Sequence, residues 1–294
     1  MKLPCPQEQP PPWEKKSRQG LKPEQVEAEL LEGQSVALLK ALHLLTPTGA
    51  LNADARRKLK QVNHLMRLLA PAIDDIYARH AEPCLVDVGS GKGYLGFVLH
   101  ELVLARRGRG LLYCVESNAQ LLARAQAMAE DLGFSQLRFV GAPIAQAVLP
   151  ERVHLVTGLH ACDTATDDAL ARALLLGADY IALVPCCQAE LARELAHCTP
   201  TVPALKALFA HALHRRELGA HLSNVLRCLV AEAKGFCVSV TELVGWEHSA
   251  KNELLLCRRV QAHNPRALRE LSALRELLPV RMHLLDTLTC LGLK

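Results

Sequence analysis

The chain has 294 residues, of which 50% are hydrophobic and 22% are charged, and its formal net charge is +4. This balance suits one large globular core with smaller pieces attached, and the low aromatic content of 4% disfavours an all-β sandwich. No apolar run is long enough to cross a membrane, and the first residues lack the apolar core of a signal peptide. We therefore expect neither membrane spanning nor export.

Cysteine usage points to a reducing compartment. The 11 cysteines are odd in number and scattered, and most lie among apolar residues, as Cys84, Cys114, Cys237 and Cys257 do. A thiol in such surroundings packs as a small hydrophobic group. We predict reduced thiols and a cytoplasmic location.

The N-terminal region divides into two parts. Residues 1–22 predict a flexible tail, because their prolines and charged residues leave too little apolar surface to offset the entropy of ordering. Residues 23–79 predict a helical subdomain. Its first helix starts at Pro23, with acids in the opening turns and apolar residues at helical spacing, and ends before TPTG. A second helix, capped by Asn52, is predicted to run through about Ile76.

After Pro83, short apolar runs of strand type alternate with helical segments. Between residues 80 and 262 these runs are CLVDVG, GLLYCVE, LRFVGAP, VHLVTGL, YIALVPC, FCVSVTELV and ELLLCRRV. Helices are expected near 94–106, 118–132, 165–176, 188–197 and 219–233. We predict an α/β fold with a Rossmann-like, doubly wound sheet of seven strands, the last two of which form an antiparallel hairpin at the edge.

Residues 263–294 predict a C-terminal helical extension. Apolar positions recur at helical spacing in LRELSALRELL, which follows Asn264. Pro279 should interrupt this helix, because proline removes a backbone donor and clashes with the preceding turn.

A glycine-rich turn follows the first predicted strand and indicates a ligand site. In such a strand-to-helix turn the backbone can approach a ligand closely, and the helix offers unpaired N–H groups. A plain structural turn is the alternative interpretation. We predict that cofactor contacts come from Asp87, Gly89, Ser90, Gly91, Lys92, Gly93 and Tyr94.

The glycine spacing distinguishes between ligand classes. A dinucleotide-binding turn has the pattern G-x-G-x-x-G, and Tyr94 stands where its last glycine would fall. The turn does not match the Walker motif either, since Lys92 is followed by Gly93 instead of Ser or Thr. Neither a nicotinamide or flavin dinucleotide nor ATP is therefore expected in this turn.

Glu116 ends the second predicted strand and is the strongest single candidate for ligand binding. A carboxylate at this position can accept hydrogen bonds from both ribose hydroxyls of an adenosine, and Ser117 lies beside it. The alternative is an exposed acid without a ligand. Because the third strand ends in Gly141-Ala142-Pro143 rather than in an acid, an adenine would be held by backbone groups and apolar packing.

The motif D-x-G-x-G-x-G, with an acid ending the next strand, resembles the class I S-adenosylmethionine-dependent methyltransferases. GLHACDTATD and VPCCQ resemble more narrowly the branch of the glutathione-transferase C-terminal-domain-containing proteins and the tRNA acceptor-stem ribose methyltransferases. The resemblance covers about residues 56–260, including RRKLKQVNHL and GWEHSAKNELLL. It implies S-adenosyl-L-methionine as the cofactor. Asp87 would orient the turn or receive the cofactor's cationic amino group through water.

Two departures from this branch limit what the resemblance implies. Asp163 stands where the branch usually has glycine, and the chain lacks the Cys/His zinc-finger module that the tRNA enzymes carry. The substrate is therefore not carried over. Asp163 also leaves open a module that binds the cofactor without turnover.

The segments after the fourth and fifth strands should face the transferred methyl group, because reacting groups in open α/β sheets lie beyond the carboxyl ends of the strands. The predicted catalytic residues are His160, Cys162, Asp163, Cys186 and Cys187. His160 would be either the base for a protonated acceptor or a structural histidine. The adjacent cysteines would shape the substrate pocket, accept a methyl group or form a plain turn. No zinc site is predicted, since the chain has no C-x-x-C pair.

RNA, either tRNA or rRNA, is the predicted substrate. It is favoured by the branch resemblance and by three groups of basic residues, which are Arg56/Arg57/Lys58/Lys60, Arg106/Arg107/Arg109 and Arg215/Arg216. Each group has an ordinary solvated surface as its alternative. The competing functions are methylation of a protein or small molecule, and cofactor binding without catalysis.

Overall fold

The computed structural model describes residues 20–159, 161, 163–185, 189–243 and 253–290. The N-terminal region begins with helix α1 (Pro23–Val26), a 3₁₀ turn (Glu27–Glu29) and helix α2 (Val36–Ala41). The prediction of a single helix from Pro23 is wrong here. Gly33 breaks it with φ +76°, and a side chain at that position would collide with the guanidinium of Arg106. Ser35 then caps α2 by accepting a hydrogen bond from the Leu38 N–H at 3.1 Å.

Helix α3 (Ala53–Arg79) is the long predicted second helix. Its cap is the predicted one, since the Asn52 side chain accepts a hydrogen bond from the Ala55 N–H at 2.8 Å. At the other end Arg109 donates to the carbonyl of Tyr77 at 2.6 Å, which neutralises part of the negative end of the helix dipole. The Tyr180 hydroxyl donates to Asp75 at 2.9 Å and fixes the same end to the sheet.

The rest of the chain alternates strands with helices. The strands are β1 (Cys84–Val88), β2 (Leu111–Val115), β3 (Leu137–Val140), β4 (Leu155–Leu159), β5 (Tyr180–Val184), β6 (Phe236–Glu242) and β7 (Glu253–Arg259). The helices are α4 (Tyr94–Leu99), which continues through a π-helical segment (His100–Leu104) into α5 (Ala105–Arg107), then α6 (Ala119–Asp131), α7 (Thr164–Leu175), α8 (Glu190–His197) and α9 (Ala212–Ala233). Two 3₁₀ turns (Ile144–Gln146 and Pro203–Phe209) lie between them.

The seven strands form one sheet in the order β3-β2-β1-β4-β5-β7-β6. The first five are parallel, whereas β7 is antiparallel to both β5 and β6. The predicted α/β fold with an antiparallel edge pair is confirmed. The chain returns through β7 into the space beside β5, so β6 becomes the outer strand.

Two hydrophobic layers cover the two faces of the sheet. Successive strand residues point to opposite faces, so Leu85 and Leu155 pack beneath α3 and α4, whereas Val86 and Val156 pack toward α7 and α9. Both faces of the parallel strands are therefore buried, which explains their nearly continuous apolar sequences.

The C-terminal region forms helices α10 (Pro265–Leu277) and α11 (His283–Cys290), with Pro279 in the break between them as predicted. Asn264 caps α10 through its side chain. None of the helices in the described ranges is both long and apolar enough to cross a bilayer.

Candidate cofactor and reaction site

The carboxyl ends of the parallel strands meet at one edge of the sheet, and the glycine turn lies there between β1 and α4. Gly89, Gly91 and Gly93 have φ values of +63°, +57° and +78°, which side chains rarely adopt. A Cβ at Gly93 would also lie 2.7 Å from the Phe97 ring. The backbone conformation therefore requires glycine at these three positions.

Glu116 follows β2 and joins that strand to the glycine turn. Its Oε2 accepts a hydrogen bond from the Gly91 N–H at 2.8 Å, and its Oε1 accepts one from the Asn118 N–H at 2.8 Å. A carboxylate offers about four acceptor positions, so two remain for hydroxyl donors. The arrangement fits a ribose whose two hydroxyls donate to Glu116.

Asp87 is buried beneath the turn, at 2% exposure. Burial raises the pKa of its carboxyl to about 7, although the hydroxyl of Thr157, which donates to Asp87 at 3.0 Å, works in the opposite direction. Thr157 was not predicted. Its signal in the sequence is a lone polar residue inside the apolar run of β4.

The remaining predicted cofactor residues lie in or beside the turn. The Ser90 N–H donates to the Val115 carbonyl at 3.0 Å, and the Ser90 carbonyl accepts from the Gly93 N–H at 2.8 Å, which ties the turn to β2 and closes it on itself. Tyr94 begins α4, while Lys92 and Ser117 are exposed. Their contacts with a cofactor stay predictions.

Asp163 precedes α7 and has a backbone conformation of φ +51° and ψ −120°. This region is costly for a residue with a side chain and is typically maintained by the surrounding structure at functional sites. The Asp163 Oδ1 accepts a hydrogen bond from the Glu190 N–H at 3.2 Å, and Arg193 lies 3.6 Å from Oδ2. One carboxylate thus connects the segment after β4 to the start of α8, the helix that follows β5.

A buried ion pair supports Asp163 from below. Arg227 of α9 donates to Asp167 at 2.7 Å, to the Asn224 side chain at 3.0 Å and to the Asp163 carbonyl at 3.1 Å. The side chains of Arg227 and Asp167 are only 1% and 0% exposed. Sequence reasoning missed this network, although an arginine inside LSNVLRCLV is the signal for a buried partner.

Asp167 is the titratable member of this network. Burial raises the pKa of its carboxyl to about 6, against the opposing effect of Arg227. Its Oδ2 is buried without a hydrogen-bond partner among the described residues. The network therefore holds the backbone at Asp163 with charged groups that are costly to separate.

Four of the five predicted catalytic residues lie outside the described residues: His160, Cys162, Cys186 and Cys187. Their neighbours define where the two segments begin, since β4 ends at Leu159 and β5 ends at Val184. The catalytic roles of these four residues remain predictions. For Asp163, the structure shows a side chain that connects the segment after β4 to the start of α8.

One group of potential metal ligands occurs among the described residues, comprising His80, His154 and Asp179. It lies at the opposite edge, where the strands start. The His154 Nδ1 accepts a hydrogen bond from the Cys84 N–H at 2.9 Å, and Asp179 accepts one from Arg152 at 2.6 Å. His80 Nε2 and Asp179 Oδ2 are hydrogen-bonded at 2.9 Å, so these contacts connect the residues at the strand starts.

The sheet order, the edge pair and the glycine turn define a Rossmann-like α/β fold of the methyltransferase type. Residues 57–194, just under half of the chain, match the family model described as a methyltransferase domain. The matched residues include the glycine turn and Glu116, which together form the kind of cradle that S-adenosyl-L-methionine would need. No curated protein matches the sequence.

Among solved structures the similarities are remote. An rRNA methylase from Streptococcus thermophilus has 12% identity and a TM-score of 0.44, with 67% of this chain and 96% of that chain covered. An S-adenosylmethionine-dependent methyltransferase from Aquifex aeolicus has 14% identity and a TM-score of 0.43, with 76% and 98% covered. A Podospora anserina methyltransferase with bound S-adenosylhomocysteine has 13% identity and a TM-score of 0.44, with 85% and 93% covered. Similarities this remote do not bear on the substrate.

Proposed function

We propose that this chain transfers the methyl group of S-adenosyl-L-methionine to RNA, with tRNA or rRNA ahead of other acceptors. The proposal includes the narrower branch suggested by GLHACDTATD and VPCCQ, which contains tRNA ribose methyltransferases. Glu116 would bind the ribose of the cofactor, with the glycine turn against the ligand, and Asp87 would orient the turn or receive the amino group through water.

The observation that carries the RNA proposal is a group of basic residues on the strand-end side of the molecule. Helix α9 ends at Ala233, just before β6 starts, so its first turns lie at the edge where the strands end. Exposed basic side chains occur there and in the preceding 3₁₀ turn, namely Lys206, His211, His214 and Arg216, of which Arg216 also pairs with the exposed Glu217 at 2.6 Å. Arg193, which is 67% exposed, lies beside Asp163 on the same side. A cationic flank next to the reaction site favours a polyanionic substrate.

The other basic groups contribute less exposed positive charge than the sequence suggested. Arg107 pairs with Asp74, and Arg109 donates to carbonyls at the end of α3, on the strand-start side. Arg56 pairs with Glu29. These arginines stabilise helix α3 and the elements packed against it, so their charges are partly satisfied within the protein.

In the proposed reaction the protein mainly aligns the acceptor with the methyl group and excludes water. The cofactor supplies a sulfonium whose methyl is electrophilic. Asp163 would hold the segments after β4 and β5 in a fixed relation on the acceptor side. For a ribose hydroxyl acceptor, His160 would take the acceptor proton as general base, whereas a ring nitrogen with its own lone pair needs no base.

The direct test is transfer of labelled methyl from S-adenosylmethionine to fractionated total RNA and total protein. Label in tRNA or rRNA that is lost with Glu116→Ala supports the proposal. Label that appears only in protein or in small molecules contradicts the RNA assignment and leaves the methyltransferase class intact. Cofactor binding without transfer to any fraction would favour a binding module without turnover.

A further inference from the structure

A cavity of about 500 Å³ lies on the outer side of the glycine turn, away from the segments after β4 and β5. Its walls come from the end of α2, from the turn itself and from one face of α6. The aliphatic lining includes Leu42, Leu121, Ala125, Met128 and Leu132. Its volume is in the range of small-ligand pockets, about 300–1,000 Å³.

Three basic side chains line the rim of this cavity: His43, Lys92 and Arg124. Asp131 is the acidic residue among the lining residues. Within the described part of the chain, neither Lys92 nor Arg124 has an acid within ion-pair distance, unlike Arg56 and Arg107. Cations that are free of internal partners are available to an anionic ligand.

His43 ends helix α2 beside the cavity. Its φ of +55° is in the left-handed region, where non-glycine residues are uncommon, and it places His43 directly after α2, at the mouth of the cavity. Lys92 belongs to the glycine turn, so a ligand in the cavity and a cofactor in the cradle would contact opposite sides of the same turn.

We propose that this cavity is a second RNA-binding subsite, which takes a nucleotide base on its aliphatic floor and the adjoining phosphate on Lys92 and Arg124. The inference rests on the proposed RNA substrate. In the sheet order, α6 connects β2 and β3, on the far side of β1 from β4 and β5. The bound nucleotide is therefore remote from the methylated one. A bound RNA would extend from the basic residues at the start of α9, past the reaction site, to this cavity.

The test uses the full chain and a fluorescently labelled tRNA pool, with binding followed by anisotropy across a salt series. Arg124→Ala removes a phosphate contact and should weaken binding about ten-fold at low salt, with a shallower salt dependence. Ala127→Phe fills the cavity from an exposed position without changing charge, and it should weaken binding several-fold. Arg269→Ala, an exposed arginine of α10 at the strand-start side, is the matched control and should leave binding unchanged.

S-adenosylhomocysteine affinity should be unchanged in all three variants, which shows that they are folded. If the unmodified protein binds the tRNA pool but Arg124→Ala and Ala127→Phe bind it equally well, the subsite is refuted and the RNA substrate stands. Equal weakening by Arg124→Ala and Arg269→Ala would also refute it, since general charge would explain both. If the unmodified protein binds no RNA even at low salt, both the subsite and the proposed function fail.

Discussion

Glu116 and Gly91 are joined by a hydrogen bond of 2.8 Å, so the acid at the end of β2 holds the turn that follows β1. Glu116→Ala removes this bond together with the acceptors for a ribose. We expect S-adenosylhomocysteine binding to weaken about ten- to a hundred-fold, from the loss of charge-assisted hydrogen bonds that contribute about 1.5–3 kcal/mol. Isothermal titration calorimetry measures this, with Glu151→Ala as an exposed acidic control. An affinity equal to that of the control would remove Glu116 from the cofactor site.

Asp87 should make stability depend on pH. The pKa of its carboxyl rises from 3.8 to about 7 on folding, so the folded protein binds more protons than the unfolded chain between those values, and stability falls as pH rises through them. Asp87→Asn keeps an acceptor for Thr157 but cannot ionise. Between pH 5 and pH 8 the original protein should lose about 2–3 kcal/mol more stability than this variant does. The measurement is the free energy of unfolding in urea as a function of pH. If it changes in parallel for the original protein and Asp87→Asn, Asp87 does not titrate as proposed.

The backbone at Asp163 should be strained. Asp163→Gly and Asp163→Ala both lose the acceptor for the Glu190 N–H, but only glycine relieves the φ of +51°. The glycine variant should therefore be more stable than the alanine variant by about 1 kcal/mol in urea unfolding. An alanine variant as stable as the glycine variant would contradict the strain.

The buried pair of Arg227 and Asp167 can be tested by a double-mutant cycle. Arg227→Met alone leaves a buried carboxylate without its cation, and it should cost about 3–5 kcal/mol of stability. Adding Asp167→Leu should recover part of this loss, because the uncompensated charge is gone. Losses that simply add would mean that the two side chains act independently.

The fold could be predicted from the sequence where a local pattern determines the structure. Alternating apolar runs predicted the seven strands, and Asn52 indicated the start of α3 because an Asn side chain caps a helix locally. The break at Gly33 was missed because apolar spacing continues across it. Only the nearby Arg106 guanidinium and the positive φ show why a glycine is needed there.

The candidate site could be predicted only in part. The sequence could single out Asp87, the glycines and Glu116 as candidates because their spacing is local to two consecutive strands, and their contacts with a cofactor stay predictions. The connection of Asp163 to Glu190 and Arg227 joins residues distant in sequence, which no periodicity indicates. Asp167 and Thr157 were missed for the same reason, since their partners lie on other elements.

The central claim is that the glycine turn and Glu116 form a site for S-adenosylmethionine. Calorimetry of the purified chain with S-adenosylhomocysteine and with NAD tests this most directly, together with Gly93→Ala, which would push a methyl group against the Phe97 ring. We expect saturable one-to-one binding of S-adenosylhomocysteine, its loss or strong weakening in Gly93→Ala, and no binding of NAD. Binding of NAD alone, or S-adenosylhomocysteine binding that is indifferent to both Gly93→Ala and Glu116→Ala, would contradict it.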